Sequence, residues 1–349
     1  MRRKLARGLA IAGAAVFIAG AALAQAPAPT KVTPELIEAA KKEGKIVWYT
    51  SVELELAERV AKAFEAKYPG IPVQVERSGA ERNFQRLSQE YASNIHGADF
   101  VNSSDAAHFI VWKRQGWLAP FVPEDVAQYY PPEQKDPDGT FATWRMTLSI
   151  MGYNTKLVKP DQVPKSFAEL LDPKWAGKLV KAHPGYSGTI LTSTFEMARD
   201  LGWDYFAKLA KQRVMQVQSA TDPPRKLAAG ERSIMIDGSE YVLLLAKEHG
   251  SPVEPIYPSE GSPSIVGPSA VLKDAPHPNA ARLFAIYSFS TECQQLIVDV
   301  GALRSANTQV TERPGRPTFK DIKLMKDDPK TVEAQVDEIK KKYLEYFGT

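Results

Sequence analysis

Ser187, Gly188 and Thr189 follow a Pro184-Gly185-Tyr186 turn and open a run in which Ile190, Phe195, Ala198 and Leu201 fall near helical spacing. Small residues at a helix mouth suit one kind of chemistry. The first backbone N–H groups of a helix lack intrahelical partners, and the positive end of the helix dipole points the same way, so an anion is favoured there. Hydroxyls add neutral donors, and Gly188 would let an anion approach the backbone. The device recurs along the chain. Thr50 and Ser51 follow the apolar run Lys45 to Tyr49, Arg77 and Ser78 follow Val73 to Glu76, and Ser103 and Ser104 follow Ala98 to Val101. Each group precedes a helical run. Arg77 and Arg145 add guanidinium forks that match phosphate or carboxylate bidentately. Ser, Thr, Asn and Asp also cap helices where nothing binds. A binding cleft needs several such turns gathered at the carboxyl ends of strands.

Nucleophilic catalysis is the competing chemistry. Gly185-Tyr186-Ser187-Gly188-Thr189 departs from the G-x-S-x-G elbow at its last position. His183 is near in sequence, while His96, His108, His249 and His277 lie in polar or Pro-rich surroundings expected to be exposed loops and helix ends. None has an assignable partner, so a secreted hydrolase using Ser187 remains an alternative without a base, and the expectation is a binder rather than an enzyme. The chain carries no P-loop, no G-x-G-x-x-G and no Cys/His metal set, so no cofactor and no resident metal are expected.

These residues need elements to hold them. Thr33-Pro34-Glu35 caps a short helix, Glu53 to Tyr68 and Glu81 to Ser93 have helical spacing, and the apolar runs between them read as strands of a parallel sheet. Arg145 to Asn154 reads as extended. Strand and helix then alternate again through Lys178–Lys181, the helix after Ser187, Val214–Gln218, a helix near Pro224–Ala229, Ser233–Ile236 and Tyr241–His249. Ile265 to Leu272 is a second extended passage, and Pro278 to Val300 reads as a helix pair around the single cysteine, Cys293, expected buried and inert. A chain of 349 residues is too long for one ordinary core and suggests two domains.

The first 24 residues are of another kind. Arg2, Arg3, Lys4 and Arg7 precede the apolar run Leu9 to Leu23, which ends in Ala22-Leu23-Ala24, the pattern of a cleavable signal peptide. The run is short for a membrane span. The whole chain has 44 basic and 41 acidic residues; removing four basic and no acidic ones leaves 40 against 41, a net charge of about −1. No nucleic-acid partner is implied, and a soluble periplasmic monomer is expected.

The ordered motifs KIVWYTS, YPGIPV, ADFVNSSD, RQGWLAPF, MGYNT, LLDPKWAGKLV, LAAGERSIMI and GPSAVLKDAPHPNAARLF resemble the periplasmic solute-binding proteins of ABC importers, in the branch named for ferric-iron binding. The resemblance covers nearly the whole mature chain. It implies an α/β, type II-like fold of two lobes joined by two crossing strands, with the ligand enclosed between them and the closed form presented to a membrane permease. The expected lobes are residues 31–145 with 265–300, and residues 146–264 with 301–349, the latter ending in a C-terminal helix. Iron-binding members use a consecutive tyrosine pair, often with a histidine after the first strand. Here the matching positions read Asp237-Gly238-Ser239-Glu240-Tyr241-Val242 and Tyr49-Thr50-Ser51-Val52-Glu53. One tyrosine of the pair is absent, and so is the histidine. Glu53, Asp237 and Tyr241 remain the donors for a ferric alternative. The sequence looks more like members that bind phosphorylated or carboxylated organic anions. The ligand set that follows is Thr50, Ser51, Arg77, Ser78, Ser103, Ser104, Arg145, Tyr186, Ser187, Gly188, Thr189, Asp237 and Tyr241.

Overall fold

Strand and helix alternate twice, and each round builds one sheet. The computed structural model describes residues 26–348; the expected signal peptide, residues 1–24, lies outside the described residues. The first round runs α1 (Pro34–Glu43), β1 (Ile46–Thr50), α2 (Leu54–Lys67), β2 (Val73–Arg77), α3 (Ala80–Ala92), β3 (Phe100–Asn102), α4 (Ala106–Arg114), α5 (Glu124–Tyr129) and β4 (Ala142–Leu148). The second runs β5 (Met151–Asn154), β6 (Leu179–Ala182), α6 (Gly188–Leu201), α7 (Trp203–Ala210), β7 (Met215–Val217), α8 (Asp222–Ala228), β8 (Ile234–Met235), α9 (Glu240–Glu248) and β9 (Val253–Ile256). The chain then returns through β10 (Ser262–Val271), α10 (Pro278–Phe289), α11 (Thr291–Asp299), β11 (Leu324–Met325) and α12 (Pro329–Phe347).

Local signals set the ends. Thr33 accepts the Leu36 N–H, Pro34 follows it, and Gly44 closes α1 in the left-handed conformation at φ 81°. All five residues of β1 are buried, as a strand covered on both faces requires. It pairs in parallel with β2 and β3, while β10 runs antiparallel to β3 and β4. The second sheet repeats the plan in the order β7-β6-β8-β5-β9, parallel on one side and antiparallel on the other. Each sheet has its own core. Trp48, Phe64, Trp144 and Phe284 interlock beside the first, with ring centroids 5.1 to 5.9 Å apart. Met151, Phe167, Leu179, Phe206 and Ile234 fill the second. Cys293 is fully buried on α11.

One passage between the sheets differs in detail from the sequence reading. The extended segment Arg145 to Asn154 is two strands, since β4 ends at Leu148 in the first sheet and β5 begins at Met151 in the second. The chain crosses at Ser149-Ile150. Ile265 to Leu272 falls within β10, which pairs antiparallel with β4 from Ser264 onward and touches the second half at its start, where the Ser264 N–H donates to Glu196 on α6 at 3.1 Å. The C-terminal helix contacts both halves: Glu333 pairs with Arg114 at 2.9 Å and Lys340 with Glu81 at 2.6 Å, while the Tyr343 hydroxyl donates to Gln216 at 3.0 Å. No described helix is long and apolar enough to cross a membrane.

Candidate functional site

A cleft opens where the carboxyl ends of the parallel strands of both sheets face each other. The turn after β1 supplies Ser51, β2 ends in Arg77, and the turn after β3 supplies Ser104. From the other sheet come Ser187 and Thr189 after β6, Ser219 and Thr221 after β7, and Ser239 and Tyr241 after β8. Arg145 and Thr147 reach in from β4, two residues apart and therefore on one face of the strand. The space between the walls is about 20 Å³, room for about one water. Any larger solute must enter with the walls farther apart.

The cleft lining combines eight Ser and Thr hydroxyls, one tyrosine and two arginines, and among the described residues it includes no Asp, Glu or His. The Arg145 guanidinium is buried, donates to Ser51 Oγ at 3.1 Å, and has a buried Nε with no partner among the described residues. Burial pulls its pKa below the usual value. A buried cation without a carboxylate beside it lacks the compensation that such charges ordinarily find. Gly267 makes its position possible, since a Cβ there would stand 2.9 Å from Arg145 Nε. Among the described residues Arg77 bonds two neutral oxygens, Ser219 Oγ at 3.2 Å and the Val52 carbonyl at 3.3 Å. At the mouth of α6 the Ser187 hydroxyl accepts the Ile190 N–H at 3.4 Å, and the Thr189 N–H donates to Ser104 Oγ across the cleft at 3.2 Å.

Six expected ligand residues lie outside this lining. Thr50 is buried behind Ser51, where its hydroxyl accepts the Val52 N–H and bonds Asn102. Ser78 is used through its backbone, N–H to the Thr50 carbonyl. Ser103 points away from the cleft to His108 Nδ1, 2.9 Å away, because neighbouring residues in an extended turn face opposite sides. Tyr186 is exposed on the surface against His183. Gly188 faces the opposite wall, Asp105 and Ala80, rather than the cleft space. Asp237 is fully buried and paired with Lys181 at 3.0 Å, so its charge is spent inside the second half.

His108 corrects another expectation. It is buried, with Ser103 on one ring nitrogen and Glu81 on the other, each at 2.9 Å. This serine, histidine and carboxylate set resembles a catalytic triad in outline, yet Ser103 is 0% exposed and cannot meet a substrate. Glu81, Asp105 and His108 are also the three described residues close enough to hold a metal together. Glu81 already has His108 and Lys340 as partners. Burial works against ionised Glu81, but His108 and Lys340 outweigh it and bring its pKa to about 2. Burial likewise opposes charge on His108, and Asp105 with Glu81 outweigh it and hold its pKa above the usual value. Asp105 is fully buried, and burial raises its pKa. His183 offers Ser187 no base, since its Nδ1 accepts the Gly185 N–H and burial pushes its pKa down to about 4.

The sequence reading missed Thr147, Ser219, Thr221 and Ser239. Ser219-Ala220-Thr221 carries the same signature as the recognised turns, hydroxyls between an extended run and a proline-marked helix start, and Thr147 is two residues from Arg145 on one strand.

Residues 97–318 match the family of bacterial extracellular solute-binding proteins. The chain belongs to this family. Its fold is that of the ferric-binding-protein-like solute-binding proteins of ABC importers, which deliver ligand to a membrane permease. A curated but uncharacterized protein of Haemophilus influenzae is 25% identical over 299 residues, 82% of this chain and 84% of that one. The periplasmic binding protein AfuA of Actinobacillus pleuropneumoniae, solved with fructose-6-phosphate bound, superposes with a TM-score of 0.80 at 24% identity, over 87% of this chain and 98% of that one. Iron-bound HitA of Pseudomonas aeruginosa gives 0.74 at 21% identity, over 86% and 99%. At these identities the two structures share the fold.

Proposed function

We propose that this solute-binding protein is a monomer that works in the periplasm and captures a small organic anion, phosphorylated or carboxylated, for its ABC importer. One observation carries the reading: two arginines and a ring of hydroxyls line the cleft, and no described carboxylate or imidazole joins them. Guanidinium forks and hydroxyls satisfy oxyanions by charge and directed hydrogen bonds. The neighbour bound to fructose-6-phosphate supports the choice of class.

The donor set for ferric ion is dispersed. Tyr241 is the one tyrosine of the lining, and its hydroxyl accepts the Glu53 N–H at 3.3 Å. The Glu53 carboxylate pairs with Arg225 at 2.9 Å, and Asp237 with Lys181. A hard trivalent ion would meet one phenol and two arginines in the cleft, which opposes binding electrostatically.

Titration calorimetry of the mature protein with fructose 6-phosphate, inorganic phosphate and citrate tests the reading, alongside native mass spectrometry of gently purified protein. Saturable binding of an organic anion that is lost in Arg145→Met is the expected result. A visible tyrosinate band after ferric citrate loading, lost in Tyr241→Phe, would overturn it in favour of iron.

A further inference from the structure

Gly79 and Gly188 come from opposite walls of the cleft, one just before α3 and the other at the first position of α6. Neither needs glycine for its backbone conformation, since Gly79 has φ −61° and Gly188 is helical. What each lacks is room for a Cβ. A Cβ on Gly79 would stand 2.8 Å from the carbonyl oxygen of Tyr186. One on Gly188 would stand 2.7 Å from Asp105 Cβ and 3.1 Å from Ala80 Cβ. Carbon atoms in contact lie about 3.5–4.0 Å apart, so a methyl on Gly188 demands a separation of roughly 1 Å, and one on Gly79, which meets an oxygen, somewhat less. The obstructing atoms are a backbone oxygen and two Cβ atoms, none of which can turn aside by a rotamer change, and each belongs to the wall facing the glycine.

The polar contacts around this meeting depend on the same approach. Ser104 Oγ reaches the Thr189 N–H at 3.2 Å, Arg77 reaches Ser219 at 3.2 Å, and Arg82 reaches Gln218 at 2.7 Å. All three run from the first half to the second. A 1 Å spacer at the glycines would stretch the Ser104 contact beyond hydrogen-bond length, because it joins a short side chain to a backbone N–H.

We infer that Gly79 and Gly188 are the stops that set how far the two halves close, and that they thereby bring Ser104 into register with the mouth of α6 and Arg77 into register with Ser219. They are positioning residues for capture. The inference rests on the two-lobed capture reading and not on which anion is carried.

Inter-lobe distance is the direct readout. Spin labels on cysteines at the exposed positions Lys62 and Lys208, in α2 and α7, with Cys293→Ser as background, report it by double electron–electron resonance. The parent is expected to show a short-distance population that grows with fructose 6-phosphate or inorganic phosphate. Gly188→Ala and Gly79→Ala should each lose that population and bind at least tenfold more weakly. Gly188→Ala should keep or raise the melting temperature without added anion, because alanine is the better helix former; a merely structural glycine would lower it. Either variant reaching the parent's shortest distance, or a parent with no short-distance population under any condition, overturns the inference. Failure of every tested anion to bind the parent would instead count against the proposed function, and the distances without added anion would still decide this one.

Discussion

The cleft and the ion networks just behind its walls are built from the same stretches of chain. Ser104 lines the cleft and Ser103 bonds buried His108; Ala80 lines it and Glu81 holds Lys340. Charge compensation separates the two regions. Behind the walls, Lys181 meets Asp237 at 3.0 Å, and Glu81 meets both His108 and Lys340. In the cleft, Arg145 and Arg77 meet hydroxyls and a carbonyl. A buried pair carries its own compensation, whereas under the proposed function the captured anion supplies it for the cleft guanidiniums. Location alone would not have distinguished structural charge from receptive charge.

The largest effect is expected from breaking a completed pair. Asp237→Ala leaves Lys181 buried and unpaired, which should cost about 3–5 kcal/mol of stability, read by denaturant unfolding. The double variant Lys181→Met with Asp237→Leu should recover most of it. If Asp237→Ala instead abolishes anion binding at full stability, the division between the two regions is wrong.

Arg145→Met should do the converse. Removing a charged partner of the ligand is expected to weaken fructose 6-phosphate binding about 100-fold, near 2.7 kcal/mol. Without anion the melting temperature should hold or rise, because an uncompensated buried charge is relieved. Calorimetry and a thermal scan on one preparation check both halves.

Glu196 is a third case, a buried carboxyl on α6 whose charged form burial disfavours. Burial raises its pKa well above the ordinary 4.5. Its folded-state pKa exceeds the unfolded one, so the folded chain holds the extra proton, and stability should fall as pH rises above about 4.5. Glu196→Gln should flatten that slope, with its largest relative gain at the alkaline end, read by unfolding at pH 5 and pH 8.

The smallest effect sharpens the boundary between neighbours. Ser187→Ala removes one neutral hydrogen bond, roughly 0.5–1.5 kcal/mol, or about three- to tenfold in affinity. Ser103→Ala, one residue from the lining, should leave affinity level. Equal losses from the two would mean that the buried network and the cleft act as one unit.

Much of this was legible in the chain. The apolar run of β1, the caps of α1 and the proline and glycine stops fix where elements begin and end, because these signals act within a few residues. The turns carrying Ser51, Arg77, Ser104, Ser187 and Thr189 were legible for the same reason. The sequence by itself therefore determined the alternating α/β plan, the hydroxyl-rich turns and the presence of one tyrosine where the iron-binding pattern has a pair. Only the tertiary structure decided which half of each turn faces the cleft, that His108 is buried against a carboxylate 27 positions away, and that Asp237 is spent on Lys181. Facing and pairing depend on groups far apart in sequence, and a polar residue's role depends on whether another charge reaches it first.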